Sequence, residues 1–275
     1  MHLKSGWNCL GIGDELPITT LVREFKFHNP NEIISLDIHY PELFYNNPHL
    51  AGTIDSGDTV DLFHDYFNFT YSYAKLLGIK IYNSEPEIFL TESEIQSFLQ
   101  LPNTVSVETR AGWPIRVWDF KNFVKLVDML HDHGFRVVQV GKCTSKDSST
   151  WCGLSFPEVD MSVVSLPNVD ESYLNQLSIR ETASVIKSCR LHIGSDSGLN
   201  SLATAVKTKD IRLFFRTSVA IGLSYRTTYA ITPFNNTCSQ ELWWLWHAVG
   251  CEVCHTALNS ITPEDVISVI ERNNL

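Results

Sequence analysis

The sequence predicts an α/β protein built on two parallel sheets, one in each half of the chain. Three observations carry this expectation: strand and helix patterns alternate, small-residue turns separate them, and the apolar content is enough for two cores. The 275 residues exceed a typical single domain. Two domains of roughly 100 to 170 residues fit that length. With 44% hydrophobic, 11% aromatic and 19% charged residues, the chain lacks the polarity of a disordered polymer.

In the first half, Trp7 to Ile12 runs into Gly11-Ile-Gly13-Asp14-Glu15. Behind it Leu16, Leu21, Val22 and Phe25 share one helical face, so the segment predicts strand, glycine turn and helix. Glu32 to His39 predicts a second strand and Val60 to Phe63 a third, with the turn-rich Pro41 to Pro48 between them. Tyr71 to Leu77 predicts a helix stopped by Gly78, followed by short extended pieces at 79–82 and 88–90. Thr91-Glu-Ser-Glu94 has capping-box chemistry and opens another helix.

A boundary at Leu101-Pro-Asn103 divides the chain into residues 1–102 and 103–275. Beyond it, the strand 105–109, the helix Phe120 to His133, a Gly134 stop and the strand 135–141 form one β-α-β unit, which makes the strands parallel. Ser145 to Ser155 reads as a polar surface loop, Ser178 to Ser188 as a helix, Leu191 to Gly194 as a buried strand and Ser201 to Val206 as helical. Residues 211–215 and 228–231 are further strands. Pro263 to Arg272 closes the chain as a helix capped by Thr262, able to pack back on the first domain. Such sheets bind ligands at the carboxyl ends of their strands and in the cleft between domains.

The 31 acidic and 21 basic side chains leave a formal charge of −10, which disfavours an extended nucleic-acid partner unless basic groups are focused in one cleft. No basic and apolar leader opens the sequence, and no run approaches the roughly 20 apolar residues that span a bilayer. Seven cysteines in no framework spacing fit a reducing compartment, so the expected location is the cytoplasm.

Four constellations carry candidate chemistry. Gly13, Asp14 and Glu15 lie at a helix start, where Asp14 either caps the helix or acts as a general base on an acceptor hydroxyl. Asp196, Ser197, Gly198 and Leu199 run from a buried strand into a helix start, which is either a capped turn or an anion site for a diphosphate. There Asp196 can turn away from the anion and hold the loop by accepting backbone hydrogen bonds. Thr109, Arg110 and Arg116 can receive phosphate oxygens, or are surface groups beside the packed Trp113 and Trp118. Cys238, Cys251 and Cys254, with His247 or His255, either bind a metal or are buried reduced thiols near the aromatic stretch 241–250. His131 and His133 read as exposed residues at a helix end.

Taken in order, Gly13-Asp14-Glu15-Leu16-Pro17, Asn47-Pro48-His49-Leu50, Trp113-Pro-Ile-Arg116-Val-Trp118 and Ile193-Gly-Ser-Asp196-Ser197-Gly198-Leu199 resemble the ADP-heptose glycosyltransferases, glycosyltransferase family nine. The resemblance runs through most of the chain and implies the GT-B architecture, two Rossmann-like domains with parallel sheets facing across a cleft. It implies a heptosyltransferase-like transfer with inversion, from a nucleoside-diphosphate sugar to a glycan or other acceptor hydroxyl, with no metal or other cofactor. By resemblance Asp14 is the base, and Ser197, Gly198 and Leu199 lie against the donor. Arg116 stands where the family has a lysine that contacts the diphosphate. Ser201 replaces a frequent histidine, and the first half is short where the acceptor would bind. A modified nucleobase or a protein side chain is therefore an alternative acceptor, and a non-catalytic nucleotide-sugar-binding module a competing reading.

Overall fold

The structure is a computed structural model that describes residues 2–5, 11–50, 59–62, 69–98, 103–110, 116–142, 150–151, 154–155, 165–214, 225–234 and 252–275. Parallel pairing requires long crossovers, and the chain supplies them with helices. Strand β1 (His2–Ser5) lies between β2 (Ser35–Asp37) and β3 (Thr59–Leu62), parallel to both, with Leu3 opposite Leu36 and Val60. Helix α1 (Ile12–His28) makes the crossover from β1 to β2, and α2 (Phe69–Leu76) follows β3. Gly78, at φ 64°, takes the left-handed conformation just beyond α2, as a stop glycine should.

The segment expected as strand and glycine turn is built differently. Gly11 is the N-cap and Ile12 already belongs to α1, so the glycine-rich stretch is the helix's first turn. The strand lies earlier, at His2–Ser5, while residues 7–10 fall outside the described residues. Residues 79–90 form no strand. They strap across α1, where the Ser84 and Glu85 carbonyls accept from Thr20 Oγ1, and those of Asn83 and Glu85 from the Arg23 guanidinium. These polar groups on α1 satisfy the strap's backbone without a ladder. The expected cap is present at Thr91, whose Oγ1 accepts from Glu94 N at 3.3 Å to open α3 (Glu92–Gln96).

The second sheet comprises β4 (Thr104–Glu108), β5 (Arg136–Gln139), β8 (Glu171–Ser172), β9 (Leu191–Ser195), β10 (Lys209–Leu213) and β11 (Thr228–Ile231), in the order β11-β10-β9-β4-β5-β8. All its pairs are parallel. Every residue of β4 and β9 is buried, as in a parallel sheet covered on both faces, although Thr104, Ser106 and His192 set polar groups among the apolar ones. The stretch expected as a surface loop includes a short antiparallel pair, β6 (Thr150–Trp151) with β7 (Leu154–Ser155); residues 145–149 and 152–153 lie outside the described ones.

Helices cover both faces of this sheet. Helix α4 (Phe120–Asp132) shares one core with α7 (Glu252–Asn259) and the terminal α8 (Pro263–Asn273). The terminal helix rests on α4 and β11 of this second sheet. On the other face, α5 (Ile179–Ser188) and α6 (Gly198–Ala205) bury Ala183, Val185, Leu202 and Ala203 in the same core as Leu3, Leu16 and Leu21 of the first half. The two halves are thus joined by apolar packing of α1 on α6. No helix among the described residues is long and apolar enough to cross a membrane.

Two contacts hold the halves in register. At one end Gly13 meets Gly198: a Cβ on Gly198 would lie 3.1 Å from Gly13 N and 3.2 Å from Ile12 Cβ. At the other, the largely buried Arg180 on α5 donates to both Glu94 carboxylate oxygens, at 2.5 and 2.8 Å, and to the Glu42 and Phe89 carbonyls. Gly198→Ala should force the helix starts apart at a cost of roughly 1–3 kcal/mol, seen as a lower denaturant midpoint. Arg180→Ala should cost about 2 kcal/mol by the same measurement. Because Arg180 holds the Glu94 carboxyl down from its ordinary 4.5 to about 2, that contribution is present above pH 4.5 and fades as the pH falls toward 2. The difference between wild type and R180A should shrink over the same window.

Candidate active site

The close approach of Gly13 and Gly198 brings two helix starts, with their outward-pointing amides, to one place. On the α1 side, Asp14 N donates to Gly11 O at 2.9 Å and Gly11 N donates to Asp14 Oδ2 at 2.9 Å. Asp14 therefore caps its own helix, and its partly exposed carboxylate is oriented by that bond. The neighbouring Glu15 is fully buried; it accepts from His39 N at 2.7 Å and Tyr40 N at 2.9 Å, tying α1 to the chain after β2. On the α6 side, Ser197 is the N-cap and its Oγ accepts from Leu199 N at 3.1 Å.

Asp196 departs from the sequence expectation. Its carboxylate does not bind backbone amides but sits between two guanidiniums, Arg116 Nη1 at 3.4 Å from Oδ2 and Arg212 Nη1 at 3.6 Å from Oδ1. The backbone of the loop is fixed instead by Asp196 N, which donates to Leu213 O at 3.1 Å. Arg212 is wholly buried on β10, with Asp210 Oδ2 3.4 Å from its Nε and the rings of Phe214 and Tyr225 beside it at 5.9 and 6.0 Å. Thr228 Oγ1 donates to Asp210 Oδ1 at 2.8 Å and Asn200 Nδ2 to Oδ2 at 3.3 Å. Burial raises the Asp210 carboxyl above its ordinary value, while Arg212 and these donors pull it back.

Glu108, at the carboxyl end of β4, is also buried, and its carboxyl group bonds to the Ser197 hydroxyl. Desolvation pushes the Glu108 carboxyl up to about 8, against the opposing pull of Ser197, Arg110 and Arg212. Sequence reasoning singled out neither Glu108 nor the Asp210–Arg212 pair. The available signal was charge in the wrong place: Asp210-Ile-Arg212 lies within a strand buried on both faces, where an ionic group needs a partner.

The remaining candidates are spread along the same sheet edge. Thr109 is buried and accepts from Gln139 Nε2 at 3.2 Å, while Arg110 Nη1 donates to Lys142 O at 3.2 Å, both towards β5. Arg116 reaches the 196–199 loop, its Nη1 also lying 3.4 Å from Asp196 O. The chain beyond it is anchored by the buried Trp118, which donates to Ile261 O at 2.9 Å and packs edge-on to Phe123. Trp113 lies outside the described residues. Ser201 is fully buried in α6.

Cys254 is buried in the core that α7 shares with α4, whereas Cys238, His247 and Cys251 lie outside the described residues. His131 and His133 bond to different acids, Asp170 and Glu271, at 3.0 and 3.2 Å, so they do not converge on one point. A hollow of about 920 Å³ opens at the carboxyl end of β11, between α7 and α8, lined by Ile231, Phe234, Thr256 and Arg272 among others. It lies two strands from the Ser197 loop and contains none of the described candidate residues.

The family model of glycosyltransferase family 9 (heptosyltransferase) matches residues 57–242. No curated protein matches the sequence. Among solved structures, a family 9 glycosyltransferase from Veillonella parvula superposes with a TM-score of 0.69 at 12% identity, covering 98% of this chain and 96% of that one. ADP-heptose lps heptosyltransferase II of E. coli gives 0.63 at 13% identity, with 99% and 98% covered. The dodecameric TibC of enterotoxigenic E. coli gives 0.67 at 15% identity, covering 98% of this chain and 75% of TibC. TibC is an iron-containing protein. The described residues here do not fit such a group, since no three His, Cys, Asp or Glu side chains among them gather around one point. The structural likenesses share the GT-B arrangement of parallel α/β sheets. With the family model spanning more than half of its length, this chain belongs to glycosyltransferase family 9, the heptosyltransferase family.

Proposed function

We propose that this glycosyltransferase moves a sugar from a nucleoside-diphosphate donor to an acceptor hydroxyl in one inverting displacement, with Asp14 as the base. The observation that supports this reading is the Gly13–Gly198 contact, which brings the first turn of α1, carrying Asp14, against the start of α6, which Ser197 caps. In that reaction the acceptor oxygen attacks the anomeric carbon as its proton passes to Asp14, and the bond to the diphosphate breaks on the opposite face. Negative charge grows on the leaving phosphate, where the amides at the α6 start, Ser197 Oγ and the Arg116 guanidinium would stabilise it. Thr109 and Arg110 extend the donor side along the sheet edge.

The capping role of Asp14 is compatible with this chemistry. A carboxylate offers about four lone-pair positions, so an amide bond to Oδ2 orients the group without consuming its capacity as a base. The acidic residue on the donor loop is compatible too, because Asp196 is offset by Arg116 and Arg212. These fixed charges would do the work a metal does elsewhere, so the proposed transfer is metal-independent. Solved relatives in complex with ADP-heptose and an ADP-fluoroheptose make an ADP-linked heptose the first donor to try. For the acceptor, a glycan or other uncharged hydroxyl suits a chain of formal charge −10 better than a nucleic acid does. A donor-binding protein without transferase activity is the competing reading, favoured by the buried Ser201 where the family often has histidine.

Asp14→Asn should lower transfer by roughly a hundredfold to ten-thousandfold while leaving the ADP dissociation constant, measured by calorimetry, nearly unchanged. Retention of the wild-type rate in that variant removes Asp14 as the base. Arg116→Ala should instead weaken ADP binding roughly tenfold to a hundredfold, as loss of a charge-assisted contact does. Transfer should persist in excess chelator; a requirement for added metal would overturn the metal-independent mechanism.

A further inference from the structure

One buried acid has no place in the mechanism above. Glu108 pairs across the sheet with Gly194, and a Cβ on that glycine would lie 3.5 Å from Glu108 Cβ and Oε2 and 3.0 Å from Asn200 Oδ1. The missing side chain thus leaves the space through which the Glu108 carboxyl passes over β9 to reach Ser197 beneath the donor loop. Resting on the donor-site reading, we infer that Glu108 is a positioning residue for the donor diphosphate: as the neutral acid it donates to Ser197 Oγ, leaving the serine proton to the phosphate, and as the carboxylate it takes that proton and blocks the anion.

The hydrogen-bond inventory of one hydroxyl carries the argument. Ser197 Oγ has one proton and two acceptor positions. Leu199 N fills one acceptor position, and Asn200 Oδ1, at 3.4 Å, competes weakly for the proton. When Glu108 is neutral, its own O–H fills the second acceptor position and the serine proton is available outward. Once ionised, Glu108 can only accept, so it binds the serine proton and adds a negative charge beneath the diphosphate site. Burial favours the neutral form at neutral pH, with the carboxyl raised to about 8.

The surrounding charges leave Glu108 as the group that changes state above neutrality. Arg110 on its own strand's extension and Arg212 on β10 are the cations that act on it, with Arg116 before α4 on the far side of Asp196. His192 on β9 is held neutral, its pKa pushed down to about 3 by burial and Arg212, and Tyr225 is raised to about 12. Asp196 pairs with Arg116 and Arg212, Asp210 faces Arg212 rather than Ser197, and Asp14 heads α1 on the far side of the Gly13–Gly198 contact.

The test is the affinity of the whole protein for ADP, GDP and UDP by calorimetry without divalent cation, from about pH 7 upward, where the last phosphate proton has left the nucleotide. For wild type, affinity for the preferred nucleotide should fall roughly tenfold or more by about pH 9.5, because the binding form is lost as Glu108 ionises. Glu108→Gln, whose amide donates but does not ionise, should keep near-wild-type affinity at pH 7 and lose the pH dependence. Ser197→Ala should bind more weakly at pH 7 and with a shallower profile, since only the charge repulsion remains, a second readout should E108Q fail to fold. A flat wild-type profile, or an unchanged slope in E108Q or S197A, overturns the inference while leaving the donor site standing. Failure of all three nucleotides to bind wild type overturns the donor site and this inference together.

Discussion

Two backbones meeting without a side chain between them set the geometry of this protein. Helices α1 and α6 belong to different sheets, yet Gly13 and Gly198 let their first turns approach within ordinary van der Waals distance. An alanine at Gly198 adds a carbon 3.1 Å from the Gly13 amide nitrogen, a backbone atom with little room to retreat. The apolar packing behind the contact, Leu16 and Leu21 with Leu202 and Ala203 in one core, makes the approach a fixed feature of the fold. The proposed active site depends on it, because Asp14 and the Ser197 turn sit on opposite sides of that contact.

Beneath the donor loop lies a second constraint of a different kind. Arg212 and Asp210 are completely buried, and Asp196 nearly so, with Arg116 closing the series at the surface. Burying such charges is costly, and their mutual attraction recovers the cost only when partners are well placed. Their value here is geometric. Arg116 and Arg212 lie 3.4 and 3.6 Å from the Asp196 carboxylate, and the Asp196 amide binds Leu213 O, so the turn that presents Ser197 is held from below. A diphosphate would meet an already ordered cradle rather than one assembled at the moment of binding.

Much of this architecture was legible in the residues. Gly134, at φ 78°, ends α4 where a stop glycine was expected, and the capping boxes at Thr91 and Thr262 open the helices that their spacing implied. The buried strands β4 and β9 fall within a residue of where they were expected, while β10 was expected at 211–215 and runs from Lys209 to Leu213. What failed was local ambiguity. Gly11 to Gly13 suits a tight turn and a helix start equally well, and only the packing of α1 on its neighbours selects the helix. Residues 79–90 have strand-like composition but find no edge to pair with, so they lie across α1 and satisfy their carbonyls on Arg23 and Thr20. Helix α7 and the short β8 carried no signal strong enough to stand out.

The sequence by itself determined the parallel α/β class, most helix boundaries and the stretches where chemistry could reside, because hydrophobic period, caps and glycine stops are local physics read over a few residues. It also carried the resemblance that pointed to the family. The tertiary structure decided which of those stretches meet: the α1 start with the α6 start through Gly13 and Gly198, and Arg116 with Asp196. It also decided that Glu108 bonds to Ser197 and that Arg212 lies against Asp196. Their roles come from burial and from neighbours tens of residues away along the chain, and no local pattern encodes the dielectric around a side chain or the partner that neutralises it.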